Sequence, residues 1–452
     1  MLAITTVATL LVASTLSSAS PTPLSPSTIP QRRSASVINF HRNTVQADNK
    51  VFNAEAARKE RLRVKAKYGT INDRVQAASH STKRALKTVA KPFDIKSKRA
   101  GGEGKDPLVD VFNSIDVLYF GPLSVGTPPQ ETNVDFDTGS SDLVVPLSNC
   151  QGNCTAPLFD SSKSTTFKRS NTPFSIQYQD GSGANGTVAT DAVTVAGLTV
   201  AKQAFGAVDT EFGGFSGPNA GLLGLGFPDN AVSNSKPFFI NLVESGGLAS
   251  NLFSFFMSRG GADGSELCIG CVNSDKFSGD IDYHKLDPSA TGGTQLYWNI
   301  PSSGFSYDGS QSTVTPTTSF NDTSITTRAT GFSAVIDSGT SLIYVSTAAA
   351  EELYNQIPGA SPAPKDVGDG FYTFPCDAPI GTVSFVFDGK PYAINPQDFN
   401  LGALQEGSSD CVGGILGEDL GDNLAIVGDE FMKNWYSVFD HDQLAVGFAK
   451  AN

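Results

Sequence analysis

Histidine is scarce in this chain. There are four in 452 residues, and only His284 and His441 lie beyond residue 100. Neither sits in a recognisable triad setting. The chain contains no G-x-S-x-G and no H-E-x-x-H, so a serine hydrolase and a zinc hydrolase both lack their signatures. Cysteine is also sparse. The pair Cys268-Ile-Gly-Cys271 has no second C-x-x-C to complete a zinc site, although a redox pair or zinc half-site is the rival reading there. After the first 19 residues no apolar run is long enough to cross a bilayer. The C-terminal GFAKAN carries no apolar tail, which argues against a lipid anchor added by tail replacement.

Glycine and proline are plentiful, at 45 and 25, and 39% of residues are hydrophobic. The apolar residues fall in short β-type runs between Gly, Ser, Thr and Asn clusters, which predicts a mostly β protein. The length allows two domains. Residues 1–19, MLAITTVATLLVASTLSSA, form an apolar run ending in small residues, as in a secretory signal, but without the usual basic start.

Net charge is −13, split unevenly. Residues 20–99 carry 18 Lys and Arg against 5 Asp and Glu, a net of +13; residues 100–452 carry 14 against 40, a net of −26. A basic segment before an acidic body can mean nucleic-acid binding. Here a cleavable inhibitory segment fits better, because dibasic sites occur at Lys83-Arg84 and Lys98-Arg99. The stretch AEAARKERLRVKAKYG within it is predicted helical. Six cysteines allow fifteen pairings. Their spacings suggest two small loops, Cys150–Cys154 and Cys268–Cys271, and a larger one, Cys376–Cys411.

One pattern appears twice. VDFDTGSSDLVV is centred on Asp137 and AVIDSGTSLIYV on Asp337. Each reads as a short buried strand ending in an Asp on a tight Gly turn. Each is followed by an apolar-apolar-Gly segment, AGLLGLG and AIVGDEF. Asp137 to Gly224 is 87 residues and Asp337 to Gly428 is 91, so the two halves look duplicated. If the loops meet, two close carboxylates share one proton. One can then act as base on a water while the other polarises a carbonyl.

These motifs resemble the active site of the pepsin-like aspartic proteases, the standard case of such a dyad. The resemblance covers roughly residues 105–452. It implies two pseudo-symmetric β-barrel-like lobes with few helices. It divides the chain into a signal peptide (1–19), a propeptide (20–99), an N-terminal lobe (100–285) and a C-terminal lobe (286–452). It implies Asp137 and Asp337 as the catalytic pair. Thr138 and Ser338 would bond across to the opposite loop, and Ser140 and Thr340 would donate to the outer carboxylate oxygens. Gly139 and Gly339 would let a substrate backbone approach. Leu222 would line an apolar pocket. The three cysteine loops match places where the family carries disulfides.

The runs FSIQY and TVATDAVTV flank QDGSGANG and predict a hairpin. In the family this is the flap over bound peptide, with Tyr178 as its tyrosine and Asp180 and Ser182 near the tip. Asp180 would serve a Lys side chain before the cut. The family's usual Trp seven residues after the first Asp is Val144 here, so the Tyr178 hydroxyl needs another partner. RVKAKYG resembles family prosegments, which places Lys67 and Tyr68 in the cleft.

The expected protein is therefore a secreted acid endopeptidase made as a zymogen, with a vacuolar location as the alternative. Its expected partners are protein or peptide substrates with apolar residues around the cut, its own propeptide, and pepstatin-type inhibitors. A monomer is expected, with no cofactor, metal, nucleic acid or membrane. The rival reading is a catalytically weak relative that binds protein or glycan. Sequons at Asn153, Asn185 and Asn321 are glycosylation candidates. The polar stretch 310–330 and the helical runs KPFFINLVESGGL and AAAEELYNQI complete the chain.

Overall fold

A computed structural model describes residues 50–69, 102–112, 116–177, 182–213, 219–261, 263–308, 310–311, 331–421 and 424–452. The N-terminal leader, both dibasic sites, Tyr178, Asp180 and Asn321 lie outside the described residues.

The architecture is bilobal and mostly β, and each half repeats one device. Strand Gln130–Asp137 runs parallel to Gly221–Gly224, with Asp137 opposite Gly224, and Leu143–Gly152 closes antiparallel on the other side. In the second half, Phe332–Ile336 runs parallel to Leu424–Val427, and Ile343–Val345 closes antiparallel. The central apolar runs can be continuous because they are covered on both faces. Each chain crossing needs glycine. A Cβ on Gly224 would lie 2.4 Å from the Ser141 nitrogen, and one on Gly428 would lie 2.1 Å from the Thr340 carbonyl. The matched spacings in the sequence reflect this repeated crossing.

A six-stranded sheet joins the halves, in the order Gly104–Pro107, Glu266–Ile269, Leu252–Phe256, Trp435–Asp440, Ala445–Ala451 and Phe277–Lys285. The expected boundary at residue 285 falls at the end of that last strand, so the division runs through a shared sheet. The core is continuous across it. Trp298 is buried, its ring packs on Phe227, Phe253 and Phe439, and its Nε1 donates to Leu225 O at 2.9 Å.

The hairpin forms from Lys168–Gln177 and Gly183–Val195. Helices form at Phe238–Ser245, inside the first run read as helical, and at Thr347–Tyr354, which starts one residue before the second. The structure pairs Cys150–Cys154, Cys268–Cys271 and Cys376–Cys411. Bonding Cys268 to Cys271 removes the zinc half-site reading. Asn153 and Asn185 are both exposed.

The basic segment contributes the helix Ala54–Tyr68. Its N-terminus is capped by Asn53, whose Oδ1 accepts the Ala56 N–H at 3.0 Å. That bond satisfies one of the helix's free donors. The helix is too polar to be stable through its own apolar face. It is held by tertiary contacts: Phe52, Ala57, Val64 and Tyr68 enter a cluster with Tyr297, Leu342, Tyr344 and Phe371. The preceding backbone pairs with the acidic body, with Phe52 N–H donating to Ala403 O and Ala403 N–H donating to Lys50 O, both at 2.8 Å.

Candidate active site

Asp137 ends its strand, and Asp337 follows directly after Phe332–Ile336. Their loops lock reciprocally. Thr138 N–H donates to Ser338 Oγ at 3.1 Å, and Ser338 N–H donates to Thr138 Oγ1 at 3.0 Å. Each hydroxyl then donates onward into the opposite strand, Thr138 to Ile336 O at 2.8 Å and Ser338 to Phe136 O at 2.6 Å. All these groups are buried, so each bond also spares a desolvated donor or acceptor.

The two carboxylates meet beneath one ammonium. Lys67 Nζ lies 2.7 Å from Asp137 Oδ1 and 3.1 and 2.9 Å from the two oxygens of Asp337. Tyr68 OH donates to Asp337 Oδ2 at 2.8 Å. The site has little spare room. A Cβ on Gly139 would lie 2.5 Å from Asp337 Oδ1, and one on Gly339 would lie 2.4 Å from Asp137 Oδ1.

The two acids are not equivalent. Burial pushes Asp137 up; Lys67 pulls it back only in part, and the Asp337 charge adds to the rise. Burial also opposes ionisation of Asp337. There Lys67, together with hydrogen bonds from Asp137 and Thr340, outweighs it and holds the group down at about 2. Asp337 is therefore the member that ionises first.

Thr340 Oγ1 donates to Asp337 Oδ2 at 2.5 Å. The equivalent expectation for Ser140 needs correction. Its Oγ is buried and makes no hydrogen bond among the described residues. Asp137 Oδ1 instead receives the Gly139 N–H at 2.8 Å and the Lys67 ammonium. Leu222 lies in a small buried cluster with Val144, Phe174, Ala184 and Val208, under the hairpin. Phe174 fills the space beside Gly206, opposite Val144 in the sheet, where an added Cβ would lie 2.3 Å from the ring. A phenylalanine on the hairpin thus packs in the same cluster as Val144. Ser182 is buried near the hairpin tip.

Three kinds of site residue were missed from sequence. Glu60, on the basic helix, is half-buried, and its Oε1 accepts Ser341 N–H at 2.8 Å and Leu342 N–H at 2.9 Å. Burial raises it to about 7, against the pull of those two bonds and of Arg63. Glu418 pairs with Arg61 and Lys65 of the same helix. Behind the pair lie Asp135 and Asp429, both buried. Asp135 is pushed well up by burial and then by the Asp137 charge, Asp429 by burial and then by Asp135. Asp135 was visible in VDFDTGSS, but nothing in the pattern marked it as buried.

Comparison with known proteins follows the same line. The family model for eukaryotic aspartyl protease matches residues 118–451. An aspartic protease of Phaffia rhodozyma is 37% identical over 358 residues, covering 78% of this chain and 80% of that protein. Major aspartyl peptidase 1 of Cryptococcus neoformans var. grubii is 35% identical over 371 residues, covering 78% and 72%. Cathepsin E of Mus musculus is 37% identical over 359 residues, covering 76% and 82%.

Proposed function

The chain belongs to the eukaryotic aspartyl protease family and is a peptide hydrolase; from that premise we propose that it is made as a zymogen and cuts peptide bonds at acid pH through Asp137 and Asp337. The observation that carries this reading is the Lys67 ammonium seated against both carboxylates. A cation there occupies the place where a dyad would hold its attacking water, and it holds Asp337 in its charged form.

Departure of the prosegment removes Lys67 and Tyr68 together. The Thr340 bond to Asp337 remains, and it favours Asp337 as the ionised member. Asp337 then takes a proton from the water as the oxygen attacks the peptide carbon. Protonated Asp137 donates to the carbonyl oxygen, giving a neutral tetrahedral intermediate. Collapse returns a proton to the leaving nitrogen. The Ser341 and Leu342 N–H groups, freed from Glu60, become donors for a substrate backbone carbonyl. In this reading Glu60 mimics an extended peptide and Lys67 mimics the water.

The leader 1–19 and the dibasic Lys98-Arg99 support delivery through the secretory route, to the exterior or to a vacuole. No helix among the described residues is long and apolar enough to cross a membrane. Tyr178 and Asp180 are proposed for the flap on sequence grounds. The test is incubation of the purified chain at about pH 4, near the carboxylate reference values, with an unfolded protein substrate. Self-shortening followed by cleavage that a pepstatin-type inhibitor stops is expected. Intact substrate, after the basic segment has been removed, would overturn the proposal.

A further inference from the structure

Glu418 follows the strand Ile415–Gly417, and its N–H donates to Val345 O at 2.7 Å. Val345 ends the strand that leaves the Asp337 loop. The Glu418 side chain is only 4% exposed, and each oxygen meets a different cation of the prosegment helix: Arg61 Nε at 2.5 Å and Lys65 Nζ at 2.9 Å. Both cations leave when the prosegment leaves. What remains is a carboxylate two residues from Leu416 and two from Leu420, both in the apolar cluster on which the helix packs, within an acidic body. The neighbouring Asp419 is not an equivalent group, because it accepts the Thr347 N–H and hydroxyl at 3.0 and 3.1 Å.

We propose that Glu418 is a specificity-determining residue of the mature enzyme, accepting a Lys or Arg side chain of the bound substrate. This rests on the reading of the cleft as a peptide-binding site. The helix sets the distance. Arg61 and Lys65 lie six and two residues from Lys67, roughly 9 and 3 Å along the axis at about 1.5 Å per residue. An extended peptide covers that range in about one to three residues, at about 3.3 Å each. The basic residue therefore sits close to the scissile bond without flanking the dyad itself. A carboxylate uncovered by the helix and stripped of both its cations favours a ligand that restores a charge-assisted bond. The adjoining apolar cluster suits the long stem of Lys or Arg.

The test uses activated enzyme and paired peptides that differ only in Lys or norleucine, placed in turn at the second and third residues on each side of the cut. Wild type should prefer Lys at one of these positions by about tenfold in kcat/KM, as expected for a charge-assisted bond. Glu418→Gln should bring that ratio to about one, and Glu418→Lys should invert it. Glu418→Asp should retain a preference. An unchanged ratio in Glu418→Gln, or no preference in wild type while the norleucine peptides are cut, overturns the subsite alone. Failure of wild type to cut any peptide overturns the reading of the cleft, and the subsite with it.

Discussion

Thr138 and Ser338 hold each other's backbone. Ser338 Oγ accepts the Thr138 N–H at 3.1 Å, and Thr138 Oγ1 accepts the Ser338 N–H at 3.0 Å. The relation explains why the second copy of the motif can carry Ser where the first has Thr. Only the oxygen takes part.

Ser338→Ala is therefore expected to leave the buried Thr138 N–H and Phe136 carbonyl without their partner. The cost should be about 1–3 kcal/mol of stability, with a larger fall in kcat than in KM because the two carboxylates lose their fixed spacing. Ser338→Thr should restore both. Chemical denaturation together with peptide kinetics checks this. Equal stability of wild type and Ser338→Ala would show that the bonds are incidental.

Asp137→Asn and Asp337→Asn keep shape and remove proton chemistry. Each should lower turnover at least about a hundredfold, the usual scale for losing an acid or base, while circular dichroism stays that of the folded chain. Substantial activity of both pure variants would sink the dyad.

Lys67→Ala tests the latch. With the prosegment docked, Asp337 is held down at about 2, below an ordinary carboxylate near 4. A depressed acid stabilises docking above its free value, and that contribution is lost as pH falls from about 4 towards 2. Removing Lys67 removes the largest of the influences that depress it. Self-processing should then begin roughly one pH unit or more higher than in wild type. A processing profile across pH that matches wild type would take Lys67 out of the role.

The duplicated Asp loops and the crossing glycines were legible because each half repeats them in one stretch of chain. The disulfide loops were legible from spacing. Other features depend on residues brought together only by folding. Val144 was visible as a departure from the family pattern, yet Phe174, which fills space beside it, comes thirty residues later in the chain. Glu60 and Glu418 read as ordinary surface charges, Glu60 among the cations of a polar helix. Docking of that helix sets Glu60 on the Ser341 and Leu342 N–H groups and brings Arg61 and Lys65 to Glu418. The silence of Ser140 was hidden for a related reason: which donors reach Asp137 depends on an ammonium seventy residues upstream.

Glu60 makes the last prediction, and its sign opposes that of Lys67. Docked, the carboxyl is raised to about 7 from its ordinary 4.5. A raised acid stabilises docking below its free value, and that contribution is lost as pH rises through about 7. The prosegment's hold is thus limited by Asp337 on the acid side and by Glu60 on the alkaline side. Glu60→Gln keeps a carbonyl oxygen for the Ser341 and Leu342 N–H groups, with no charge to desolvate. It should raise the zymogen's melting temperature at pH 8 by a few degrees, the scale of about 1–3 kcal/mol. At pH 5, where wild-type Glu60 is already protonated when docked, the two melting temperatures should nearly coincide. An equal fall at both pH values would mean that Glu60 serves as a hydrogen-bond acceptor only. A gain confined to pH 8 would show that a buried proton on the prosegment helps set the upper limit of its grip.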